Sequence, residues 1–169
     1  RNCFQIAVES CGAECPALKT AVIHPVRVED ISLIAEATRR KLIDPILVGP
    51  KERVLKAATE ARVDISTWAV INVEHSHAAA AKGAEMAADG EVESLMKGGL
   101  HTDEILHAII IKRSLMTERR LSHAYLMDIP NYHKPVVISD AAVNIAPDLD
   151  AKVDIVQNAI HFWKALFGA

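Results

Sequence analysis

The chain has 169 residues, of which 50% are hydrophobic and 24% are charged, and its net charge at pH 7 is −3. That length suits one domain of ordinary size, or one domain with part of another. The slightly acidic balance argues against a surface for nucleic acids or anionic membranes. No apolar run reaches the ~20 residues that a helix needs to cross a bilayer, so we expect no membrane span.

Three cysteines lie near the beginning of the chain, at Cys3, Cys11 and Cys15. Their spacing fits no common zinc or iron–sulfur pattern. An odd number of thiols in an apolar chain favours reduced cysteines and a cytoplasmic location. His75 and His77 could pair on a metal, but no third ligand lies nearby in sequence. We therefore interpret them as surface histidines at a helix start and expect no metal site.

Strands and helices are predicted to alternate along the chain. Continuous apolar runs predict strands over residues 21–25, 46–49, 68–73, 92–96, 122–127 and 135–138. Apolar side chains at helical spacing predict helices over residues 29–42, 76–89, 103–114 and 151–166, and one more that starts at Pro50. Buried strands alternating with helices are typical of a mostly parallel sheet covered on both faces. We therefore predict an α/β fold with three layers, α/β/α.

The domain boundary is predicted near residues 127–134, where Pro130 and Asn131 make the best candidate for a hinge. Residues 1–128 would form a first α/β domain. Residues 129–169 would form the start of a second, truncated α/β domain.

One stretch, residues 93–106, is the centre of the functional prediction. It is predicted to be a strand, a glycine turn and a helix. Gly98 and Gly99 would let the backbone turn sharply, because neither carries a Cβ that forbids positive φ. Thr102 is the predicted N-cap, and Asp103 and Glu104 place acids in the first helical turn, where the helix dipole favours them.

This turn is a candidate anion site, because a strand end, a glycine turn and a helix start leave several N–H groups directed at one spot. Lys97 adds a positive charge, and His101 can titrate near neutral pH. The alternative is an ordinary turn with a solvated histidine, and the two acids oppose an anion directly over the helix start. The order Lys-Gly-Gly matches neither the P-loop nor G-x-G-x-x-G, so nucleotide triphosphates and dinucleotides are not supported.

Two later blocks contain further candidates. Arg119 and Arg120 lie beside a predicted strand start at Ser122, and arginine suits phosphate because its guanidinium donates two hydrogen bonds at once. A solvated basic edge is the alternative, and we prefer it for Arg119. Asp140 and Asn144 directly follow a predicted strand, and they could orient a ligand or simply cap turns in the backbone.

Taken together, these blocks resemble one protein family. The runs LMKGGLHTDEIL, TERRLSH and ISDAAVNIAPDLDAKVDIVQNAI are similar, in order and spacing, to the phosphate acetyltransferase and phosphate butyryltransferase family. The butyryltransferase-like branch looks closest. The likeness also takes in AVIHP and IDPILVGP, and it covers most of the chain.

The resemblance implies an acyltransferase that moves an acetyl or butyryl group between CoA and inorganic phosphate. It also implies an isocitrate/isopropylmalate dehydrogenase-like fold, a cytoplasmic homodimer, acyl-CoA and phosphate as partners, no metal, and no cofactor, because CoA is a substrate. The residues that it would place along the phosphate side of the cleft are Lys97, Gly98, Gly99, His101 and Thr102. Those that would line or brace it are Arg120, Ser122, Asp140 and Asn144.

The length departs from the family pattern. Family members have two α/β domains with the active site between them, and their catalytic serine, arginine and aspartate belong to the half expected beyond Ala169. We therefore expect the N-terminal part of an enzyme, poorly active in isolation. One alternative is a non-catalytic module that binds phosphate or acyl-CoA. Another is a dehydrogenase of related architecture, but no nicotinamide fingerprint is present and fold alone does not fix function.

Overall fold

The structure is a computed structural model that describes residue 5 and residues 15–168. These residues form two compact units, one over residues 15–115 and the other mainly over residues 116–168. The boundary expected between residues 128 and 129 concerns the domains of the whole family fold, and it stays a prediction. Cys3 and Cys11 lie outside the described residues, and Cys15 is an exposed free thiol.

The first unit alternates strands and helices, as the sequence predicts. Its strands are β1 (Leu18–Ile23), β2 (Ile43–Gly49), β3 (Ala69–Asn72) and β4 (Ser94–Lys97). Its helices are α1 (Val28–Arg39), α2 (Lys51–Ala61), α3 (Ser76–Ala88) and α4 (Thr102–Ile111), followed by a single 3-10 turn over Arg113–Leu115. The strands pair in the order β3-β2-β1-β4, and every pair is parallel.

Both faces of this sheet are buried, because successive side chains of a strand point to opposite faces. Ala21 and Ile23 of β1 pack with residues of α3 and α4. Val22, between them, packs with Ile31 of α1 and Val54 of α2 on the opposite face. The predicted α/β architecture, a mostly parallel sheet between helices, is therefore confirmed in this unit.

The connections leave a crevice between β1 and β4. These two strands are neighbours, with Ile23 opposite Lys97 at their carboxyl ends. The chain leaves β1 toward α1 on one face and leaves β4 toward α4 on the other face. A point where neighbouring connections diverge in this way is where open α/β sheets bind ligands. The turn that begins at Lys97 lies at that point, as predicted.

The second unit contains β5 (Tyr125–Met127), β6 (Val136–Ile138) and α5 (Leu149–Phe167). Both strands are predicted by the sequence, but they pair antiparallel, in a sheet of their own. Only residues 128–135 separate them, which is too few for the crossover that a parallel pair requires. Among the described residues, no helix has the length and apolarity needed to span a membrane.

Candidate functional site

The glycine turn after β4 is attached to the end of β1 by backbone hydrogen bonds. The Gly98 N–H donates to the Ile23 carbonyl oxygen at 2.9 Å, and the Gly99 N–H donates to the His24 carbonyl oxygen at 2.9 Å. Both amides are therefore engaged, and the N–H groups expected to face an anion are not those of the two glycines. Contact of Gly98 and Gly99 with phosphate stays a prediction.

Close approach of the backbone, rather than positive φ, explains the glycine at position 98. Among the described residues, the glycines with positive φ are Gly90 and Gly168. The sequence analysis explained Gly98 and Gly99 by positive φ, and that explanation was wrong. A Cβ on Gly98 would lie 2.8 Å from the Ile23 carbonyl oxygen and 2.9 Å from the Pro25 Cα. Because both contacts are backbone atoms next to the hydrogen-bonded ladder, a side chain has no room here.

His24 connects the end of β1 to the turn. The sequence places it at the carboxyl end of a predicted strand, but it was not predicted as a site residue. It is buried, with 6% of its surface exposed, and its φ of 56° lies in the left-handed region. Its Nδ1 lies 2.9 Å from the Gly99 carbonyl oxygen. Since a carbonyl oxygen only accepts, Nδ1 carries the hydrogen, and Nε2 of a neutral ring is an acceptor.

A cavity of about 470 Å³ opens at this crevice. Its lining residues come from the ends of β1 and β4 and from the first turns of α3 and α4; they are His24, Arg27, Ser76, Gly99, Leu100, His101 and Glu104. The Arg27 guanidinium is held by Asp30, with its Nη2 2.6 Å from the carboxylate. On the side of the cavity away from Arg27, a hydrogen bond between Ser76 and Glu104 joins the start of α3 to the start of α4.

Glu104 is the hub of that junction. Its side chain is only 10% exposed, and its carboxylate accepts hydrogen bonds from the Ser76 hydroxyl at 2.6 Å and from the His101 N–H at 2.8 Å. His77 Nδ1 lies 2.9 Å from the same carboxylate. The Ser76 hydrogen bond, followed by the His101 N–H, lowers the pKa of Glu104 below its ordinary value. The carboxylate is therefore ionised at neutral pH and links α3 to α4.

The start of α4 differs by one residue from the prediction. His101, not Thr102, is the N-cap, with extended backbone at φ −73° and ψ 149°. Its N–H is satisfied by the carboxylate of Glu104, which fixes the entry to the helix. Among residues 15–168, the N–H groups of Thr102 and Asp103 have no acceptor. These two amides and the Thr102 hydroxyl are thus the free donors of the turn.

The Lys97 side chain binds two carbonyl groups of the turn. Its ammonium donates to the Leu100 carbonyl oxygen at 2.7 Å and to the Gly98 carbonyl oxygen at 3.3 Å. An ammonium has three N–H donors, so one remains for a ligand. Lys97, His101 and Thr102 therefore lie on one turn, but of these three only His101 is among the residues that line the cavity. Their convergence on one anion stays a prediction.

In the second unit, helix α5 holds the block around Arg120. The Arg120 N–H donates to the Asp154 carboxylate at 3.0 Å. The Asn158 amide donates to the Arg120 carbonyl oxygen at 3.0 Å and to the Ser122 hydroxyl at 2.9 Å. Arg119 lies 3.0 Å from His161 of the same helix. The Arg120 side chain itself is exposed.

Asp140 and Asn144 brace the loop after β6. The Asp140 carboxylate accepts from the backbone N–H groups of Val143 at 3.0 Å and Asn144 at 3.1 Å, and from the Asn144 amide. Burial raises the pKa of Asp140, but the hydrogen bond from the Val143 N–H and those from Asn144 outweigh it, so the net pKa is lowered. Asn144 also donates to the Leu121 carbonyl oxygen at 3.0 Å. The turn-capping interpretation is thus realised for both residues.

The candidate residues therefore fall into two sets, one per unit. Lys97, Gly98, Gly99, His101 and Thr102 share the turn at the carboxyl edge of the sheet. Arg120, Ser122, Asp140 and Asn144 surround residues 120–122 in the second unit. The convergence of both sets on one cleft stays a prediction.

Five of the lining residues were not predicted as site residues: His24, Arg27, Ser76, Leu100 and Glu104. The available signal for His24 was a polar residue before proline at the end of a buried strand. His75 is the N-cap of α3, accepting from the Ala78 N–H at 3.1 Å, as its placement at a helix start predicts. In the part of the chain that the structure describes, no three histidine, cysteine, aspartate or glutamate side chains are placed to hold a metal ion.

Comparison with known proteins points to one family. The model of the family described as "Phosphate acetyl/butaryl transferase" matches residues 76–169. A phosphate acetyltransferase of Rickettsia felis is 48% identical over 144 residues, which are 85% of this chain and 41% of that protein. A phosphate butyryltransferase of Clostridium beijerinckii is 27% identical over 148 residues, 87% of this chain and 49% of that protein.

The fold is shared with a solved structure at low sequence identity. A phosphotransacetylase from Streptococcus pyogenes superposes with a TM-score of 0.70 at 16% identity, covering 91% of this chain and 55% of that one. The chain thus spans about half the length of the curated relatives and the solved structure that it matches.

Proposed function

This chain belongs to the phosphate acetyltransferase and phosphate butyryltransferase family, and on that premise we propose that it takes part in acyl transfer between CoA and inorganic phosphate. The observation that carries the proposal is the 48% identity to a phosphate acetyltransferase over 85% of the chain. The turn from Lys97 to Thr102 supports it, because its free donors lie at the ligand-binding edge of the sheet.

The acyl group proposed is acetyl. Identity to the Rickettsia felis phosphate acetyltransferase is 48%, against 27% to the Clostridium beijerinckii phosphate butyryltransferase. The sequence motifs suggested that the butyryltransferase branch is closer, whereas the identity is higher to the acetyltransferase. Butyryl transfer is the competing outcome, and comparison of the two acyl-CoA substrates decides between them.

The chemistry defines what the site must supply. In the direction that forms acyl-CoA, the CoA thiol loses a proton and the thiolate attacks the carbonyl carbon of the acyl phosphate. The bond between that carbon and the phosphate oxygen then breaks, and phosphate leaves with the electron pair. A base must take the thiol proton, and donors must hold the phosphate and the oxyanion.

The first unit supplies donors for the phosphate in this proposal. The Thr102 and Asp103 amides, the Thr102 hydroxyl and the third N–H of Lys97 lie on one turn, and the helix dipole of α4 favours an anion there. The ionised Glu104 carboxylate limits how deep the anion sits, because two negative charges repel. His101, the N-cap, would contact the phosphate from the rim.

The second unit supplies one arginine and its support. Asp154 and Asn158 hold the backbone of Arg120. No side chain among the described residues holds its guanidinium, which would bind an anion in this proposal. Ser122, Asp140 and Asn144 would brace that segment. Contact of all four residues with substrate is part of the proposal.

Further parts of the proposal follow from the family resemblance. They are an isocitrate/isopropylmalate dehydrogenase-like fold for the whole enzyme, a cytoplasmic location, a homodimer, and a reaction without a bound metal or cofactor. CoA is a substrate in this proposal.

A binding experiment on the 169-residue chain tests the phosphate side. In ¹H–¹⁵N NMR spectra, titrated phosphate should shift the amides of residues 102 and 103. Thr102→Val removes the hydroxyl and keeps both amides, so it should weaken binding and move those shifts to higher phosphate concentrations. Thr59→Val, at another exposed helical threonine, is the matched control and should leave them unchanged. Shifts spread over the surface without Thr102, or none up to high phosphate, would remove the turn from the site.

An alternative function is a non-catalytic module that binds phosphate or acyl-CoA. It is the alternative that the sequence analysis left open, and the chain spans 41% of its Rickettsia felis relative. Holding reactants in near-attack geometry is worth roughly 7–11 kcal/mol, and half of an enclosing fold supplies little of it. Phosphate-dependent release of CoA from acetyl-CoA should therefore be slow for the isolated chain, and fast release would exclude the alternative.

A further inference from the structure

One ring nitrogen of His24 is not used by the fold. The backbone N–H of His24 donates to the Val48 carbonyl oxygen at 2.7 Å, and its carbonyl oxygen accepts from the Gly99 N–H at 2.9 Å. Its Nδ1 is held by the Gly99 carbonyl oxygen at 2.9 Å. These bonds fix the ring at the end of β1, and they leave Nε2 as the remaining polar atom of the residue.

This Nε2 atom faces the cavity at the carboxyl edge of the sheet. It has no hydrogen-bond partner among residues 15–168. In that part of the chain, the side-chain nitrogen that is sealed off without a partner is His123 Nδ1. The Nε2 atom of His24 is therefore not sealed, although only 6% of the residue is exposed, and the space that it reaches is the cavity that His24 lines. In a neutral ring it is an unused hydrogen-bond acceptor.

Arg27 brings hydrogen-bond donors to the same cavity. Its Nε and Nη2 bind the buried carboxylate of Asp30, at 3.1 and 2.6 Å. A guanidinium has five N–H donors, so three remain after these two bonds. The Arg27 Nε would lie 3.3 Å from a Cβ on Gly99, the residue whose carbonyl oxygen holds His24. Both side chains therefore pack against one glycine, and the ion pair with Asp30 fixes the guanidinium there.

The charged acceptor of the cavity is already engaged. The carboxylate of Glu104 has three neighbours that bind it, which are the Ser76 hydroxyl, the His101 N–H and His77. The ring of His101 lines the cavity too, but this residue is exposed. The cavity therefore combines the free N–H groups of a guanidinium with one buried, unengaged acceptor.

A site of this kind distinguishes phosphate from sulfate. Both anions are tetrahedral and similar in size, but near neutral pH phosphate keeps at least one hydrogen and sulfate keeps none. Arg27 can donate to the oxygens of either anion. The Nε2 atom of His24 can accept a hydrogen bond only from a P–OH group. With sulfate it would face an oxygen lone pair and stay unpaired, which lowers affinity.

We propose that His24 makes this site specific for phosphate, because its Nε2 accepts the hydrogen of the bound anion while Arg27 donates to the other oxygens. The inference rests on the proposed function, in which the neighbouring turn binds phosphate. It adds two residues outside that turn and assigns them different roles: Arg27 contributes affinity for any tetrahedral dianion, and His24 contributes the choice between them.

Titrations of the 169-residue chain with phosphate and with sulfate, followed by ¹H–¹⁵N NMR at neutral pH and constant ionic strength, test the role of His24. The wild-type chain should bind phosphate at least about 10-fold more tightly than sulfate. His24→Asn keeps a donor toward the Gly99 carbonyl but has no atom at the position of Nε2. It should weaken phosphate binding by at least about 10-fold and sulfate binding by less than about 2-fold. His107→Asn, at an exposed histidine of α4 that does not line the cavity, is the matched control and should change neither affinity.

Arg27→Gln tests the other role. It removes the charged donors, so it should weaken the binding of phosphate and sulfate alike, by at least about 10-fold. Arg39→Gln is the matched control, because Arg39 also pairs with an acid three residues earlier in the chain, Glu36, but does not line the cavity. It should leave both affinities unchanged. Circular dichroism should show all four variants folded.

The ratio of the two affinities separates a binding role of His24 from a structural one. Equal losses of phosphate and sulfate affinity in His24→Asn would show a structural role and overturn the proposal, and so would an unchanged phosphate affinity. In both cases phosphate would still shift the amides of residues 102 and 103, so the proposed function would stand. If phosphate shifts neither those amides nor the ring nitrogens of His24 in the wild-type chain, the phosphate site is wrong and the inference falls with it.

Discussion

Replacing Gly98 with alanine places a methyl group where the structure has only backbone. The new Cβ would lie 2.8 Å from the Ile23 carbonyl oxygen, 2.9 Å from the Pro25 Cα and 3.0 Å from the His24 carbonyl oxygen. None of these atoms belongs to a flexible side chain. The turn must therefore move away from the end of β1, which also lengthens the hydrogen bonds of the Gly98 and Gly99 amides.

The expected loss of stability follows from these contacts. Overpacking of a tight site costs about 1–3 kcal/mol, and each weakened hydrogen bond adds about 0.5–1.5 kcal/mol. We expect Gly98→Ala to lower the free energy of unfolding of the first unit by about 2–6 kcal/mol. For a unit of this size, such a loss lowers the melting temperature by at least about 8 °C.

The matched control is Gly99→Ala, whose Cβ would lie 3.3 Å from its nearest neighbours, all of which are side-chain atoms that can shift. Its expected effect is below about 1 kcal/mol. Urea unfolding followed by Trp68 fluorescence in a Trp163→Phe background reports on the first unit alone. Equal unfolding midpoints for the two variants would refute backbone contact as the reason for the glycine at position 98.

Three further predictions concern the residues around the turn and the loop after β6. His24→Asn keeps a donor toward the Gly99 carbonyl and suits the left-handed backbone, so its urea unfolding should match that of the wild type. His24→Ala should lower the free energy of unfolding by about 1–3 kcal/mol. Equal losses in the two variants would contradict the hydrogen-bond role of His24. The pKa of Glu104 is lowered below 4.5, so the stability that its carboxylate contributes is present above that pH and is lost as the pH falls below it. On acidification to about pH 3, Glu104→Gln should therefore lose less stability than the wild type. Identical profiles of stability against pH would exclude this linkage. Asp140→Ala should speed amide hydrogen exchange at residues 142–144, and unchanged protection there would show that the carboxylate does not hold the loop.

Periodicity was sufficient to predict the order of elements in the first unit, because its strands contain short apolar runs and its helices have apolar faces. Strands β1 and β2 begin three residues before their predicted starts, because their first residues include polar side chains or proline. Pattern alone did not show how β5 and β6 pair. Both are short apolar runs, and the length of the segment between them, rather than their composition, decides the antiparallel pairing. The N-cap of α4 differed by one residue because the Glu104 carboxylate satisfies the His101 N–H, which makes His101 the last non-helical residue.

The candidate site was only partly accessible from the sequence. Lys97, His101 and Thr102 are adjacent in the chain, so local pattern could group them. His24 and Ser76 reach the same crevice from β1 and α3, and their partners are the Gly99 carbonyl and the Glu104 carboxylate. Such contacts depend on strand order, which no local pattern reveals. The occupied Gly98 and Gly99 amides were missed for the same reason.

The most direct test of the proposed function is phosphate-dependent release of CoA by a chimera. In it, this chain replaces the segment that it matches in the Rickettsia felis phosphate acetyltransferase. The assay measures free thiol released from acetyl-CoA with and without phosphate. The account predicts phosphate-dependent release by the chimera, faster with acetyl-CoA than with butyryl-CoA and much reduced by Thr102→Val. A folded chimera that releases no CoA, or releases it equally without phosphate, would contradict the claim that this chain supplies part of an acyl-transfer site.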